Sequence, residues 1–342
     1  MSAKEITSRR DFATYRRKVL ARPRIDDRAP PVEKTSKGTM GRRALLQNLA
    51  AGSGAALSLS LAPGSWETVA CGAAEAAPDS WQPPERIVDV NVYVSDWPFR
   101  RLEFAEPDRH VGKLRTHGVV QAWTGSFEAL LHRDLRAVNK RLVDRCRRSS
   151  EVLIPFPAIN PKLPDWEEDL RQAAEDLKAP GIRLHPDFHG YALDDPELIA
   201  LLHKASAAGL LVQLVLMAED ERTVHPALKI PMVDPRPLVD VIPRVKNLRL
   251  ILLNAQRVTP LPVLAKIVAS GVVFVDIAWQ EGVGGVANLL QHVPVERILF
   301  GSYFPRFYFL SALLKLRESA VEGQTLKAIA EENARRLLEG RT

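Results

Sequence analysis

The sequence predicts a single parallel (β/α)8 barrel of the TIM type behind a disordered N-terminal leader. Three observations carry the prediction. Short β-rich runs alternate with helical stretches eight times between residues 86 and 340. Strand and helix keep that order throughout, over about the length such barrels occupy. No Gly-rich dinucleotide turn follows the first strand, which argues against an open doubly wound sheet.

The strands are expected at 87–94, 119–126, 153–160, 181–186, 210–216, 249–255, 272–278 and 297–302. Helical patterns fill 134–147, 165–177 and 196–207 between them. Asp165 and Asp195 stand at N-cap positions, the second followed by Pro196 at the first helical place. Gly118, Gly209 and Gly271 stand at helix exits just before the next strand. Alternation along a strand then sorts the side chains. Ile182 and Leu184 face the helices, and Arg183 and His185 face the barrel. Val273, Val275 and Ile277 face outward, leaving Asp276 inside. Chemistry in such a barrel sits at the C-terminal strand ends. That selects Asn91, Tyr93, Asn160, His185, Asn254, Asp276 and Tyr303.

Of 342 residues, 46% are hydrophobic and 26% charged, which excludes a wholly disordered chain. The formal charge of +6 is concentrated at the front. Residues 1–80 hold 13 Lys+Arg and 8 Asp+Glu, leaving a nearly neutral body with 34 and 33. A nucleic-acid partner is therefore not expected. Two cysteines, Cys71 and Cys146, lie in unlike contexts and are expected to form no structural disulfide.

Residues 1–39 form a basic extension without apolar period, expected to be disordered and readable as a mis-called start. Residues 40–80 have the parts of an export signal. Met40-Gly41-Arg42-Arg43 is a twin-arginine opening, residues 49–62 are apolar and small, and Ala74-Glu75-Ala76 offers a cleavage site. A second arginine pair, Arg9-Arg10, is followed by charge instead of an apolar run. The expected destination is periplasmic, by a twin-arginine route through the export machinery. A cytoplasmic protein is the alternative if the leader does not function. Whether the chain forms a homo-oligomer is left open.

At this point the barrel resembles the amidohydrolase superfamily, in its branch of amidohydrolase-related hydrolases and decarboxylases. The first strand, Ile87-Val88-Asp89-Val90-Asn91-Val92-Tyr93, resembles that family's opening strand. Stretches 181–186, 247–254 and 297–305 resemble its fourth, sixth and eighth strand ends, and Glu332-Asn333-Ala334-Arg335-Arg336-Leu337 its closing helix. The resemblance implies a metal-dependent-hydrolase-like barrel. The residues it would carry over as metal ligands are replaced. The paired His of the first strand fall at Asn91 and Tyr93, the fifth-strand His near Val215, the sixth-strand His at Asn254 and the eighth-strand Asp at Tyr303. Valine has no lone pair, amide oxygen binds weakly and a phenol is a costly ligand. No family-type metal centre and no other cofactor is therefore expected.

The densest polar segment runs from Arg183 to Tyr191. His185 and His189 are spaced like a two-His helical zinc motif, but Pro186 and Gly190 argue against a helix there and Phe188 replaces the motif's carboxylate. The segment reads better as an acid–base cluster, with Asp187 orienting an imidazole. The loop after the fifth strand adds Glu219, Asp220, Arg222 and His225, with Asp220 as a further base. Arg183 and Arg222 would clamp a substrate carboxylate, Asn91, Asn254 and Tyr303 would donate to a developing oxyanion, and Tyr93 and His225 are further substrate-binding candidates. Trp279, with Trp97, Phe99 and Trp123, would wall the pocket.

The leading expectation is thus a metal-independent hydrolase of a small carboxylate- or lactone-like molecule. A catalytically silent binding protein is the alternative from another class, and a decarboxylase or lyase of the same fold is another. A metalloenzyme built on His185, His189 and His225 trails them.

Overall fold

The computed structural model describes residues 81–99, 101–104, 107–149, 151–220, 222 and 230–340. The export signal, the basic extension, Cys71 and His225 lie outside the described residues.

Eight parallel strands follow one another as expected. They are β1 (Ile87–Val94), β2 (Val119–Ser126), β3 (Leu153–Pro155), β4 (Gly181–Leu184), β5 (Leu211–Val215), β6 (Arg249–Leu253), β7 (Val272–Asp276) and β8 (Ile298–Leu299). β1 to β3 form one hydrogen-bonded run and β4 to β8 another. Bridges close both gaps. Ala158 pairs with Arg183 and Val92 with Phe304. Arg183 N donates to Pro157 O at 2.9 Å, and Tyr303 N donates to Asn91 O at 2.8 Å. The ring of strands is therefore complete, which leaves no open sheet edge. β3 and β8 are shorter than expected: Pro155 and Pro157 bring no N–H to the ladder at the end of β3, and after β8 Phe300 N donates to Ile329 O at 2.9 Å instead of to a strand.

Helices α1 (Pro107–Thr116), α2 (Leu135–Ser149), α3 (Trp166–Arg171), α4 (Pro186–His189) and α5 (Pro196–Ala207) lie in the first half. α6 (Leu238–Val241), α7 (Leu261–Ala269), α8 (Gly285–Leu290), α9 (Phe309–Glu318), α10 (Gly323–Lys327) and α11 (Asn333–Leu338) lie in the second. Asp195 caps α5 as expected, its carboxylate accepting from Glu197 N at 3.2 Å. Asp165 makes no such cap bond at α3. Gly118 and Gly209 end helices at φ 76° and 71°. Gly271 serves another purpose. A Cβ there would stand 2.6 Å from Ile242 Cγ2, so close packing requires the glycine.

The expected alternation divides the apolar residues into two layers. Ile182, Leu184, Val212, Leu214, Leu250, Leu252, Val273 and Val275 pack between sheet and helices. Leu211, Val215, Ile251, Leu253, Phe274 and Leu299 pack inside the barrel. β1 departs from strict alternation. Its register against β2 shifts between Asp89 and Val92, so Val88 and Val90 line the interior while Asn91 and Tyr93 reach the mouth.

Candidate functional site at the barrel mouth

The strand ends converge on a polar cup closed at its centre. Asn91, Tyr93, Arg183, His185, Asn254, Asp276 and Tyr303 each have 0% relative exposure. Three groups of contacts fill it.

Asn91 is the hub of the first. Its Nδ2 donates at 2.7 Å to Asn254 Oδ1 and at 2.7 Å to Asp276 Oδ2. Asp276 Oδ1 accepts from Asn254 N at 2.9 Å, and Asn254 Nδ2 donates to Met217 O at 2.8 Å. Asn254 sits at φ 57°, a left-handed conformation that asparagine tolerates well. Beneath, Asp89 accepts from Asn91 N and Ser302 N, each at 3.0 Å, and from the Ser302 hydroxyl. Burial pushes Asp89 up to about 7 and Asp276 up to about 6. Gly301 is required here, since a Cβ would run into the Asp276 carboxylate.

The second group joins β1 to β4. Tyr93 Oη lies 3.0 Å from His185 Nε2. Burial, with smaller contributions from His189 and Arg183, pulls His185 well below the usual imidazole range, and burial pushes Tyr93 up to about 12. A neutral phenol and a neutral imidazole share this hydrogen bond, and the tautomer of His185 sets which of them donates; the second ring nitrogen is Nδ1. That atom has no hydrogen-bond partner among the described residues. His189 bonds Ala129 O through Nε2 at 3.0 Å, and burial lowers it to about 4.

Arg183 is the third group. Its Nε donates to Gln213 Oε1 at 2.7 Å, its Nη1 to Val92 O at 2.8 Å, and its Nη2 to Trp123 O at 2.9 Å and Val90 O at 3.2 Å. The guanidinium lies 4.5 Å from the centre of the Tyr93 ring. Gly125 makes room for it, because a Cβ would stand 2.6 Å from Nη1.

These contacts redraw several sequence expectations. Arg183 is no substrate clamp, because its donors face backbone carbonyls inside the barrel. Asp187 does not orient an imidazole. Its oxygens accept from Phe188 N at 2.9 Å and Ala218 N at 2.8 Å, while burial raises it to about 6. The segment expected to avoid helix forms α4, with Pro186 in its first turn and Gly190 closing it at φ 71°. Asp220 pairs with Arg222 at 2.6 Å and Arg257 at 3.7 Å, and Arg222 is turned outward. Tyr303 donates to Ala218 O, and Trp279 packs against it in the wall, with ring centroids 6.3 Å apart. Asn160 stands aside in a turn, accepting from Lys162 N at 3.0 Å. His225 lies outside the described residues.

Sequence reading missed Gln213, although its alternation with Leu211 and Val215 already places it inside the barrel. It also missed the pairing of Glu219 with Arg306, a buried ion pair whose guanidinium lies 5.4 Å from the Trp97 ring centre. No local pattern joins two residues so far apart in sequence.

The sequence profile of the amidohydrolase family matches residues 115–340, more than half of the chain. The chain belongs to the amidohydrolase family. Solved structures of this fold agree. A 2,6-dihydroxybenzoate decarboxylase from Rhizobium is similar at 12% identity and TM-score 0.56, over 75% of this chain and 99% of the other. A 5-carboxyvanillate decarboxylase from Sphingomonas paucimobilis gives the same four figures. A dihydroxybenzoic acid decarboxylase from Polaromonas, solved with bound manganese, is 12% identical at TM-score 0.55, over 75% of this chain and 97% of the other. At such identities the likeness shows the fold alone. No curated protein matches the sequence.

The residues of this amidohydrolase barrel do not fit the family's divalent ion. Manganese seeks carboxylate, carbonyl or imidazole donors, and zinc seeks imidazole, thiolate or carboxylate. Here the Asn91 amide turns N–H hydrogens toward Asp276 and Asn254, and its buried Oδ1, without a partner among the described residues, is a single weak amide donor. Tyr303 turns its hydroxyl to a carbonyl, and Val215 offers nothing. Among the described residues no three His, Cys, Asp or Glu side chains are grouped to hold a metal.

Proposed function

We propose that this amidohydrolase-family barrel is catalytically silent and acts as a binding or scaffold protein. The observation that supports this reading is the Asn91 amide bonded to both Asn254 and Asp276 at a fully enclosed centre. Where its relatives are expected to hold an ion, this chain holds a hydrogen-bond network that pairs both Asn91 N–H groups and both Asp276 oxygens, while Asn91 Oδ1 has no partner among the described residues. The decarboxylases of similar fold suggest aromatic acids as trial ligands. The manganese bound in the Polaromonas structure is not carried over, because the donor set here is wrong for the ion. In this reading the protein is exported through its twin-arginine leader and carries no nucleic acid.

A metal-free hydrolase is the second reading, and one observation favours it. Tyr93 and His185 form a phenol–imidazole pair, and His185 Nδ1 lacks a protein partner. Such a pair can pass a proton, given access to substrate.

One assay separates the two readings. The full chain is incubated with dihydroxybenzoates, 5-carboxyvanillate and aryl lactones, with and without manganese or zinc, while carbon dioxide release and ester or lactone opening are followed. The silent barrel gives no turnover above buffer and no metal-dependent rise in melting temperature. Turnover that vanishes in His185→Ala establishes the second reading and ends the first.

A further inference from the structure

The flank of the barrel carries charge that the cup does not use. Between Arg133 and Arg148 the chain holds seven Lys+Arg and two Asp, in a body whose total is nearly neutral. Arg136 pairs with Asp169 and Arg141 with Glu128. Arg133, Lys140, Arg145, Arg147 and Arg148 make no ion pair among the described residues. Arg133, Lys140 and Arg147 are exposed and stand seven residues apart. Lys140 and Arg147 lie on one line along α2, about 10 Å apart, and Arg133 is in the segment that leads into the helix. α1 packs beside α2 and carries exposed Arg115 and exposed Arg109, the second paired with Glu103 at 3.8 Å; neither counts among the unpaired cations. Leu131, just before α2, is 43% exposed. Between α2 and α3 runs a groove of about 300 Å³, lined by Lys140, Arg147 and Arg136 together with the carboxylates Asp144 and Asp169, the second of which pairs with Arg136.

We propose that this face docks on an anionic phospholipid surface. A basic face two helices wide suits a plane of charge better than one acidic helix, which would meet only a single line of cations. Clustered Lys and Arg beside an exposed apolar residue is the pattern of an interfacial contact. Structural duty does not account for the cluster, since unpaired surface cations repel one another.

The test is sedimentation of the full chain with vesicles of phosphatidylglycerol and phosphatidylcholine in equal parts, against pure phosphatidylcholine. At low salt the anionic vesicles should bind at least about tenfold more protein, and salt should reverse this. The variant R133E/K140E/R147E should lose about tenfold or more in binding, with circular dichroism and melting temperature unchanged. Should that variant misfold, K140Q/R147Q gives the same reading with a smaller loss. The leader variant R42E/R43E should retain binding. Three outcomes overturn the proposal: no vesicle binding, binding unchanged in the reversed or neutralised α2 variants, or an α2-dependent affinity for heparin with none for vesicles.

Discussion

Asn91 Nδ2 stands 2.7 Å from Asp276 Oδ2, joining the first strand to the seventh across the barrel mouth. The donor is neutral and the acceptor is a wholly buried carboxyl. The pair depends on its second partner, Asn254, whose backbone N–H holds the other Asp276 oxygen. Removing the hub should therefore strand polar groups at the ends of two strands, Asn254 Oδ1 after β6 and Asp276 Oδ2 on β7. Asn91→Ala is expected to cost about 1–3 kcal/mol or more in urea denaturation, the range for buried polar groups left without a partner. Asn91→Asp should cost more than Asn91→Ala at pH 8 and less at pH 5, because protonation relieves the new carboxyl pair.

Arg183 offers a sharper geometric test. Its planar fork reaches Gln213 and three backbone carbonyls at once. A lysine ammonium cannot reach all four directions. Arg183→Lys should lose about 2–4 kcal/mol, read as a lower guanidinium midpoint with unchanged slope. Gly125→Ala should weaken the same arrangement, because the new methyl meets the guanidinium.

Glu219 and Arg306 are buried together, their side chains 4% and 5% exposed. Truncating either leaves a charge in a low-dielectric setting. Glu219→Ala and Arg306→Ala should each cost about 3–5 kcal/mol, whereas Glu219→Leu with Arg306→Met should recover much of that loss. A double-mutant cycle on unfolding midpoints reads the coupling. A double variant as unstable as the summed singles would show that the pair acts independently.

The buried carboxyls predict an unusual pH dependence. Asp89 stands near 7 in the folded protein against about 3.9 in an unfolded chain. Between those values the folded state keeps a proton that the unfolded chain has released. Its stabilising contribution is full below about pH 4 and is lost as the pH rises through about 7. Asp276 and Asp187, both near 6, act in the same direction. His110 and His189, both near 4, act in the opposite one. They stay neutral when folded, so their contribution is lost as pH falls from about 6.5 toward 4. Comparing Asp89→Asn with the parent isolates one residue from this balance. The variant should gain relative stability between pH 5 and pH 8, measured as the difference in urea midpoints. A constant difference would mean that Asp89 ionises in the fold as it does in the open chain.

How far the site could be read from the chain differs residue by residue. His185 and Asp276 were legible inside the barrel because period-two alternation fixes the facing of a strand. Arg183 was legible as inward, but its purpose was not. The same side chain could meet a substrate or a carbonyl, and only its level in the barrel decides. Register sets that level by pairing Arg183 with Gln213 on the neighbouring strand. Asp187 was misassigned because nearness in sequence to two histidines does not fix the direction of a side chain. α4 turns its carboxylate toward Ala218 of the next strand's loop.

The amino-acid order alone determined the number and sequence of strands, the facing of residues along β4 to β7, and the amide and phenol side chains of Asn91, Asn254 and Tyr303 at three strand ends. These are local properties, set by apolar period and residue type. Tertiary structure decided what those side chains do. Asn91, Asn254 and Asp276 are far apart along the chain, and their bonding needs the ring to close between β8 and β1. Closure also shuts the cup, since strand curvature and loop packing bring the polar ends within hydrogen-bond reach of one another. A pattern of residue types carries no record of those distances.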